Sequence, residues 1–308
     1  MENLMKQVFP SYYNKFRCIA GDCRHSCCIG WEIDVDADTM QSYRAFPDIL
    51  THIDTEADPP HFRLTADERC PFLNECGLCD IILRHGEDHL CQICDDHPRF
   101  RNFFDSRTET GLGLCCEAAA ALILGETEKV TLDITGEGDE NDLEQEFFAL
   151  RAEMFGILQN RERTIAERTE ALLAFAESQL PEKSLTEWAA EIRALECLDP
   201  VRNDILDRIP DDVPFPEETF ALPLEQLLVY FLYRHLAPAI DDGLTAARTA
   251  FAVLSTRMIC AMAYVLAANS TITTEHLAEA ARLYSSEIEY SEENLDELLW
   301  KLDDAQYN

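Results

Sequence analysis

The chain has 308 residues, an apolar fraction of 47% and a net charge of −34, which suffices for one large core or two ordinary ones. A field of that sign repels nucleic-acid backbones and anionic membranes and attracts cationic partners, so neither nucleic acid nor a membrane is an expected partner. No run of eighteen apolar residues predicts a membrane span, and the start, Met1-Glu-Asn-Leu-Met-Lys, lacks a secretory pattern, which places the chain in a reducing cytoplasm.

Taken in order, Phe9-Pro-Ser-Tyr-Tyr is an aromatic lead-in expected to pack on the cysteine-rich region. Ile33 and Val35 alternate with acids, as in a short half-buried strand or turn. A helix is predicted from Asp38 to Phe46, capped by Asp36 or Asp38, then an acidic loop over 47–60 and a second short strand at Phe62. Ile81 to Leu90 reads as a short helix. The alanine-rich run after Cys116 reads as a buried helix whose N-terminus, with its positive dipole end, lies at the cysteines. Val130 to Ile134 is a candidate strand, and Gly136-Glu-Gly-Asp-Glu a flexible link. From Asn141 the pattern is helical throughout: 141–158, 161–180, 182–198 ending near Asp199-Pro200, 223–236, 244–268, 273–284 and 292–301, with Thr273 and Ser291 as N-caps. The fold expected is mainly α. A cysteine-rich metal or iron–sulfur region with short strands and loops spans 1–135, and an acidic α-helical bundle spans 141–308.

Eleven of the thirteen cysteines lie in the first 116 positions: Cys18, Cys23, Cys27, Cys28, Cys70, Cys76, Cys79, Cys91, Cys94, Cys115 and Cys116. An odd total in a reducing compartment argues against a disulfide scaffold and for a metal or cluster. Thiolates are soft donors that select zinc or iron–sulfur over magnesium or calcium. Cys76-Gly-Leu-Cys79 and Cys91-Gln-Ile-Cys94 form a CxxC pair of zinc-ribbon type, but the other thiols exceed one zinc site, and spacing leaves zinc and iron–sulfur open. His25, His85, His89 and His97 interleave as extra candidate ligands. Asp34, His97, Arg99 and Glu117 flank the thiols; their simplest role is a local hydrogen bond. Cys197 and Cys260 read as core thiols, and Arg151, Arg161 and Arg168 as solvated or ion-paired. Neither GxxxxGK[ST] nor GxGxxG occurs, which disfavours a P-loop or Rossmann enzyme. The radical spacing Cys-x3-Cys-x2-Cys is broken by Gly30 after Cys23 and Cys27.

Together these motifs resemble the flagellin lysine-N-methylase family. The likeness is carried by Cys18-Ile-Ala-Gly-Asp-Cys23-Arg-His-Ser-Cys27-Cys28-Ile-Gly-Trp31, by Cys70-Pro-Phe-Leu-Asn-Glu-Cys76-Gly-Leu-Cys79, and by Cys91-Gln-Ile-Cys94-Asp-Asp-His97-Pro-Arg99. Leu158-Gln-Asn-Arg161 and the tail Glu287-Ile-Glu-Tyr-Ser-Glu-Glu-Asn294 extend it. The cysteine motifs are also similar to a broader family of CxxCxxCC zinc- or iron-chelating proteins. The resemblance implies methyl transfer from S-adenosylmethionine to lysine Nε of flagellin, with a [4Fe-4S] cluster and zinc as the alternative. By position it implies Cys18, Cys23, Cys27, Cys28, Cys70, Cys79, Cys94 and Cys115 as ligands, with no catalytic or cofactor-binding residue assigned. The family pattern has proline where Cys116 stands, which makes Cys116 an extra thiol. The rival class is a non-catalytic zinc- or iron-binding module that docks a basic protein.

Overall fold

The computed structural model describes residues 5–268 and 270–306. Strand β1 (Lys6–Pro10) precedes helices α1 (Ala37–Tyr43) and α2 (Pro47–Leu50) and short strands β2 (Ile53–Asp54) and β3 (His61–Phe62). Helices α3 (Asp80–His85) and α4 (Gln92–Asp96), strands β4 (Arg99–Phe103) and β5 (Arg107–Leu112), helix α5 (Glu117–Gly125) and strand β6 (Leu132–Thr135) follow. The rest of the described chain is helical: α6 (Asp142–Leu158), α7 (Ile165–Phe175), α8 (Leu185–Arg193), α9 (Pro200–Leu206), α10 (Ala221–His235), α11 (Ala239–Asp242), α12 (Thr245–Leu266), α13 (Thr274–Tyr284) and α14 (Glu292–Asp304). The protein is therefore mainly α, with a cysteine-rich N-terminal region.

Two compact units interleave in sequence. A thiol unit comprises Arg17–Phe100 and the strap Cys116–Ala118. A helical unit comprises the segment ending at Phe16, Arg101–Cys115 and the chain from Ala119 onward. The regions expected from chain order, 1–135 and 141–308, cut the molecule differently.

In the helical unit the sequence sets the helix starts. Asn141, Thr164 and Ser184 each stand three residues before a glutamate, and each pair forms a reciprocal capping box at the start of α6, α7 and α8. Such a box satisfies two otherwise orphaned N–H groups at the helix start. Glu144 also accepts from Ser106 N at 3.0 Å, which ties α6 to the turn between β4 and β5. The sheet runs β4-β5-β1-β6, with β1 parallel to β5 and antiparallel to β6. The Phe9-Pro lead-in thus has a different place from the one expected: it belongs to a central strand of the helical unit, with Val8 fully buried.

Helix α12 is apolar on all sides and packs against α10, α13 and α14. It is long and apolar enough to cross a membrane by length and composition, but 83% of its apolar window is buried inside the protein, as in a core helix. Arginines answer buried carboxylates elsewhere in the helical unit. Arg151 donates to both oxygens of Glu109 at 2.6 and 2.7 Å, and Arg161 and Arg168 converge on Glu225. Arg151 and Arg168 are thus ion-paired in the interior. Asp199-Pro200 opens α9 where a helix end was expected: the Asp199 carboxylate accepts from Val201 N, and proline, lacking an N–H, suits the first turn. Cys260 is a core thiol of α12, whereas Cys197 is half-buried in the turn before α9, outside any helix.

In the thiol unit, Ile33, Val35, Tyr43, Ile49, Ile53, Phe62 and Phe72 build a small core. Pro47 opens a short helix inside the expected loop, and β2 pairs with β3 through Ile53 and Phe62. Asp36 caps α1 through Thr39 N at 2.9 Å and reaches across to accept from Gln92 N, the first residue of α4, at 2.9 Å. One carboxylate thereby fixes two helix starts.

Candidate metal centre

Ten of the thirteen cysteines lie in the thiol unit, and none of the thirteen is disulfide-bonded. Their positions follow from local chain chemistry. Asn74 Oδ1 accepts from Cys76 N at 2.9 Å and Leu78 N at 3.0 Å, while Asn74 Nδ2 donates to Asp80 at the start of α3. That brace folds Cys70–Cys79 into a tight loop with Gly77 in the left-handed region at φ +72°. Gly77 lies against Gly21, where a Cβ would meet Cys76 O at 2.5 Å, so the Cys18–Cys23 and Cys76–Cys79 loops close-pack through two glycines. Cys70 N donates to Cys28 O at 2.8 Å, which joins the first and second cysteine motifs through backbone.

The thiols fall into two groups. Cys70 and Cys91 are buried members of the small core, and Cys28, Cys79 and Cys94 pack against it. The Cys91 and Cys94 sulfurs are 3.3 Å apart. Burial, reinforced by Cys28, Cys79 and Cys91, pushes the Cys70 thiol up to about 12. The second group is outside this core. Cys18 and Cys27 are exposed, Cys23 and Cys116 half-buried. Cys27 has Cys28, Cys18 and Cys116 as its thiol neighbours, and Cys23 has Cys116. Burial raises Cys23 to about 11. Glu117 anchors this group: it accepts from Arg24 N at 2.9 Å and Arg24 Nε at 2.8 Å, with the Cys23 sulfur at 3.7 Å.

In two hydrogen-bonded thiol pairs one sulfur is lowered and its partner raised. The Cys27 thiol lowers Cys28 to about 7 against its burial, and Ser26 and Arg69 assist; Cys27 rises in consequence. Cys94 lowers Cys91 in the same way and is itself raised. Metal binding removes the shared proton, so such a pair is prepared for a cation. Sulfur donors of this kind suit a thiophilic ion or an iron–sulfur group, although among the described residues the ligand atoms that lie within 4.8 Å of one another as a group of three are those of Glu32, Asp34 and His61. Among the histidines, His85 pairs with Asp48 at 3.3 Å, and His89 packs edge-on against Phe46 with its Nδ1 buried and unpartnered. Burial, with Arg99 nearby, lowers His97 to about 4, and its ring faces Trp31. Arg99 donates to Asp95 O, and Asp34 bridges to His61.

Of the sequence-derived ligands, Cys28, Cys70, Cys79 and Cys94 lie around the small core, and Cys18, Cys23 and Cys27 lie in the outer group. Cys115 belongs to the helical unit, while Cys116, the extra thiol, is in the outer group. Cys91 joins the inner group, and Cys76 is exposed on its loop.

Sequence reading missed a second polar centre, inside the helical unit. Residues Ser285–Glu289 form a single π-turn, a local irregularity that often marks functional positions. It buries Glu289, which accepts from Tyr230 Oη at 2.9 Å and pairs with His235 Nε2 at 2.5 Å and Arg234 Nε at 3.4 Å. Tyr230 Oη in turn accepts from Leu114 N at 3.2 Å and from Arg234 Nη1 at 2.9 Å. The available signal was the cluster Tyr230, Tyr233, Arg234 and His235 in an otherwise apolar stretch.

This centre lies within the part of the chain that known proteins share. Residues 214–308 match the model of the FliB lysine N-methylase C-terminal domain. The C-terminal third of the chain is similar to that domain. The matched residues include α10 to α14, the π-turn and Glu289 with Tyr230, Arg234 and His235, while the thiol unit lies outside them. The chain is also 27% identical over 136 residues to the lysine-N-methylases of Salmonella typhimurium strain LT2 and Salmonella choleraesuis, covering 40% of this chain and 33% of theirs. A flagellar biosynthetic protein FliU of Salmonella muenchen is 26% identical over 136 residues, 40% of this chain and 79% of that one. The match thus spans about a third of the two lysine-N-methylases. No solved structure matches the chain.

Proposed function

We propose that this chain is a protein-lysine N-methyltransferase that moves a methyl group from S-adenosylmethionine to lysine side chains of flagellin, in the cytoplasm, using a [4Fe-4S] centre held by the thiol unit. The observation that carries the reading is the FliB C-terminal domain at 214–308, in one chain with a thiol-rich unit. The net charge of −34 suits a substrate whose modified side chain is cationic.

In the transfer, a neutral lysine Nε forms the new N–C bond as the cofactor's C–S⁺ bond breaks. The cofactor leaves as a neutral thioether, and the methylated ammonium releases one proton to solvent. A bound iron–sulfur group would supply an electron or an open metal position for the cofactor's polar end. The thiol unit's contribution is to hold that group through deprotonated sulfurs, with Asp36 and Asn74 fixing the loops that carry them.

The test is incubation of the full chain, purified without oxygen and replete with iron, with S-adenosylmethionine and unpolymerised flagellin. Methyl increments on flagellin lysines are expected by peptide mass spectrometry. Absence of both cofactor binding and methyl transfer in an iron-loaded sample would overturn the proposal.

A further inference from the structure

We infer that the thiol unit carries a cation site that is not made of thiols: the carboxylates of Glu32 and Asp34 and the Nε2 of His61 hold one first-row divalent ion of the harder kind, Mn²⁺ being the type. The site uses none of the cysteines and goes beyond the methylase reading above.

Strand alternation puts the three ligands on one face. Asp34 bridges antiparallel to His61, while Phe62 N donates to Ile33 O at 3.0 Å and Val35 N to Pro60 O at 2.8 Å. Ile33, Val35 and Phe62 are buried in the small core. Glu32 and Asp34, two residues apart, therefore share the opposite face with His61, the cross-strand neighbour of Asp34. The three ligand atoms all lie within 4.8 Å of one another, and His61 Nε2 is 3.4 Å from Glu32 Oε2. Atoms bound about 2.1 Å from one ion stand about 3.0 to 3.4 Å apart. One pair is already at that spacing, and side-chain rotation closes the rest.

The protons give an independent argument. His61 Nδ1 lies 3.3 Å from Pro59 O, and a carbonyl only accepts, so Nδ1 carries the proton. The neutral ring then turns an Nε2 lone pair toward two carboxylates, which sets three acceptors together with no donor. A backbone carbonyl on the far nitrogen is the usual arrangement for a metal-binding histidine, because it fixes the tautomer and the ring orientation. Among the described residues neither Glu32 nor Asp34 pairs with a lysine or arginine; Arg63 reaches Asp54 at 3.7 Å instead. Two carboxylate charges around a neutral imidazole match one divalent ion.

Donor type selects the ion. Two oxygens and one imidazole suit Mn²⁺, whereas the cysteines of the same unit favour softer ions, so the two donor sets discriminate between metals. The Glu32 side chain is 59% exposed and that of His61 22%. Three protein ligands with a solvent-facing side leave positions open for water or for an oxygen donor on a substrate.

The experiment titrates Mn²⁺ into the full chain, purified without oxygen, and follows the six-line electron paramagnetic resonance signal of the free aquo ion. Mg²⁺ in large excess suppresses loose binding to the acidic surface. One equivalent of Mn²⁺ is expected to lose its free signal, and pulsed measurement of the bound ion should show coupling to a histidine nitrogen. Asp34→Asn and His61→Gln should each weaken binding at least about tenfold. Asp38→Asn, an exposed carboxylate in the first turn of α1, should leave it unchanged. The inference is overturned if the free signal never falls, which would leave a plain histidine–carboxylate pair, if the bound ion shows no nitrogen coupling, or if Asp34→Asn and His61→Gln bind as the unmutated chain does. If either variant fails to fold, the nitrogen coupling in the unmutated chain still decides. No readout involves methyl transfer or iron, so this site and the methylase proposal can fail independently.

Discussion

Glu289→Gln is the substitution that best probes how the C-terminal helices are held. Glu289 is buried and faces Arg234, His235 and Tyr230. Burial opposes its ionisation, but Arg234 and then His235 outweigh that and lower the carboxyl from 4.5 to about 2. A depressed carboxyl stabilises the fold above its unfolded pKa, and the benefit fades as pH falls toward the folded one. At 1.36 kcal/mol per unit the ionised Glu289 contributes about 3 kcal/mol at pH 7, falling below half of that near pH 3. Glutamine keeps the shape and can accept one of the hydrogen bonds, but it removes the carboxylate charge that faces Arg234 and His235. The variant is therefore expected to lose about 3 kcal/mol at pH 7, with a deficit that shrinks steadily below pH 4.5. His235 adds a second acid-sensitive step in both proteins. Burial lowers it, so the unfolded chain takes up a proton first as pH falls below about 6.5, and stability declines from there. Urea unfolding of both proteins at a series of pH values reads the difference directly. A deficit that does not vary between pH 7 and pH 3.5, or no deficit at pH 7, would refute the electrostatic account.

Asp36→Ala removes the cap of α1 and the bond to α4 together, and should cost about 2 kcal/mol by thermal unfolding. Gly113→Ala places a Cβ 2.2 Å from Tyr290 Oη and 3.1 Å from Arg234 Nη1; with Arg234 buried, the overpacking should cost about 1–3 kcal/mol in urea unfolding.

What the sequence made legible was whatever depends on near neighbours. Thr273 and Ser291 cap α13 and α14 as their side chains and positions require, and Asp36 caps α1. The helical periodicity of 141–158 and 223–236 was visible because one face is apolar at helical spacing. Pairings between distant residues were not visible. Nothing near Lys6–Pro10 announces that its parallel neighbour is Arg107–Leu112, and β4 and β5 carry arginine, asparagine, threonine and glutamate whose burial depends on partners such as Arg151. The same limit applied to the thiols. Spacing singled out the thiols, but not that Cys116 falls in the same compact unit as the first cysteine loop while Cys115 falls in the other.

The interleaving of the two units has a consequence for biosynthesis. Strand β1 emerges from the ribosome about a hundred residues before β5, the parallel neighbour that shields one of its edges. In that interval almost the whole thiol unit is synthesised, and only the strap at Cys116–Ala118 is still to come. All nine cysteines between Arg17 and Phe100 are thus made while the sheet is still open, and Cys116 joins their unit only after β5 has been made.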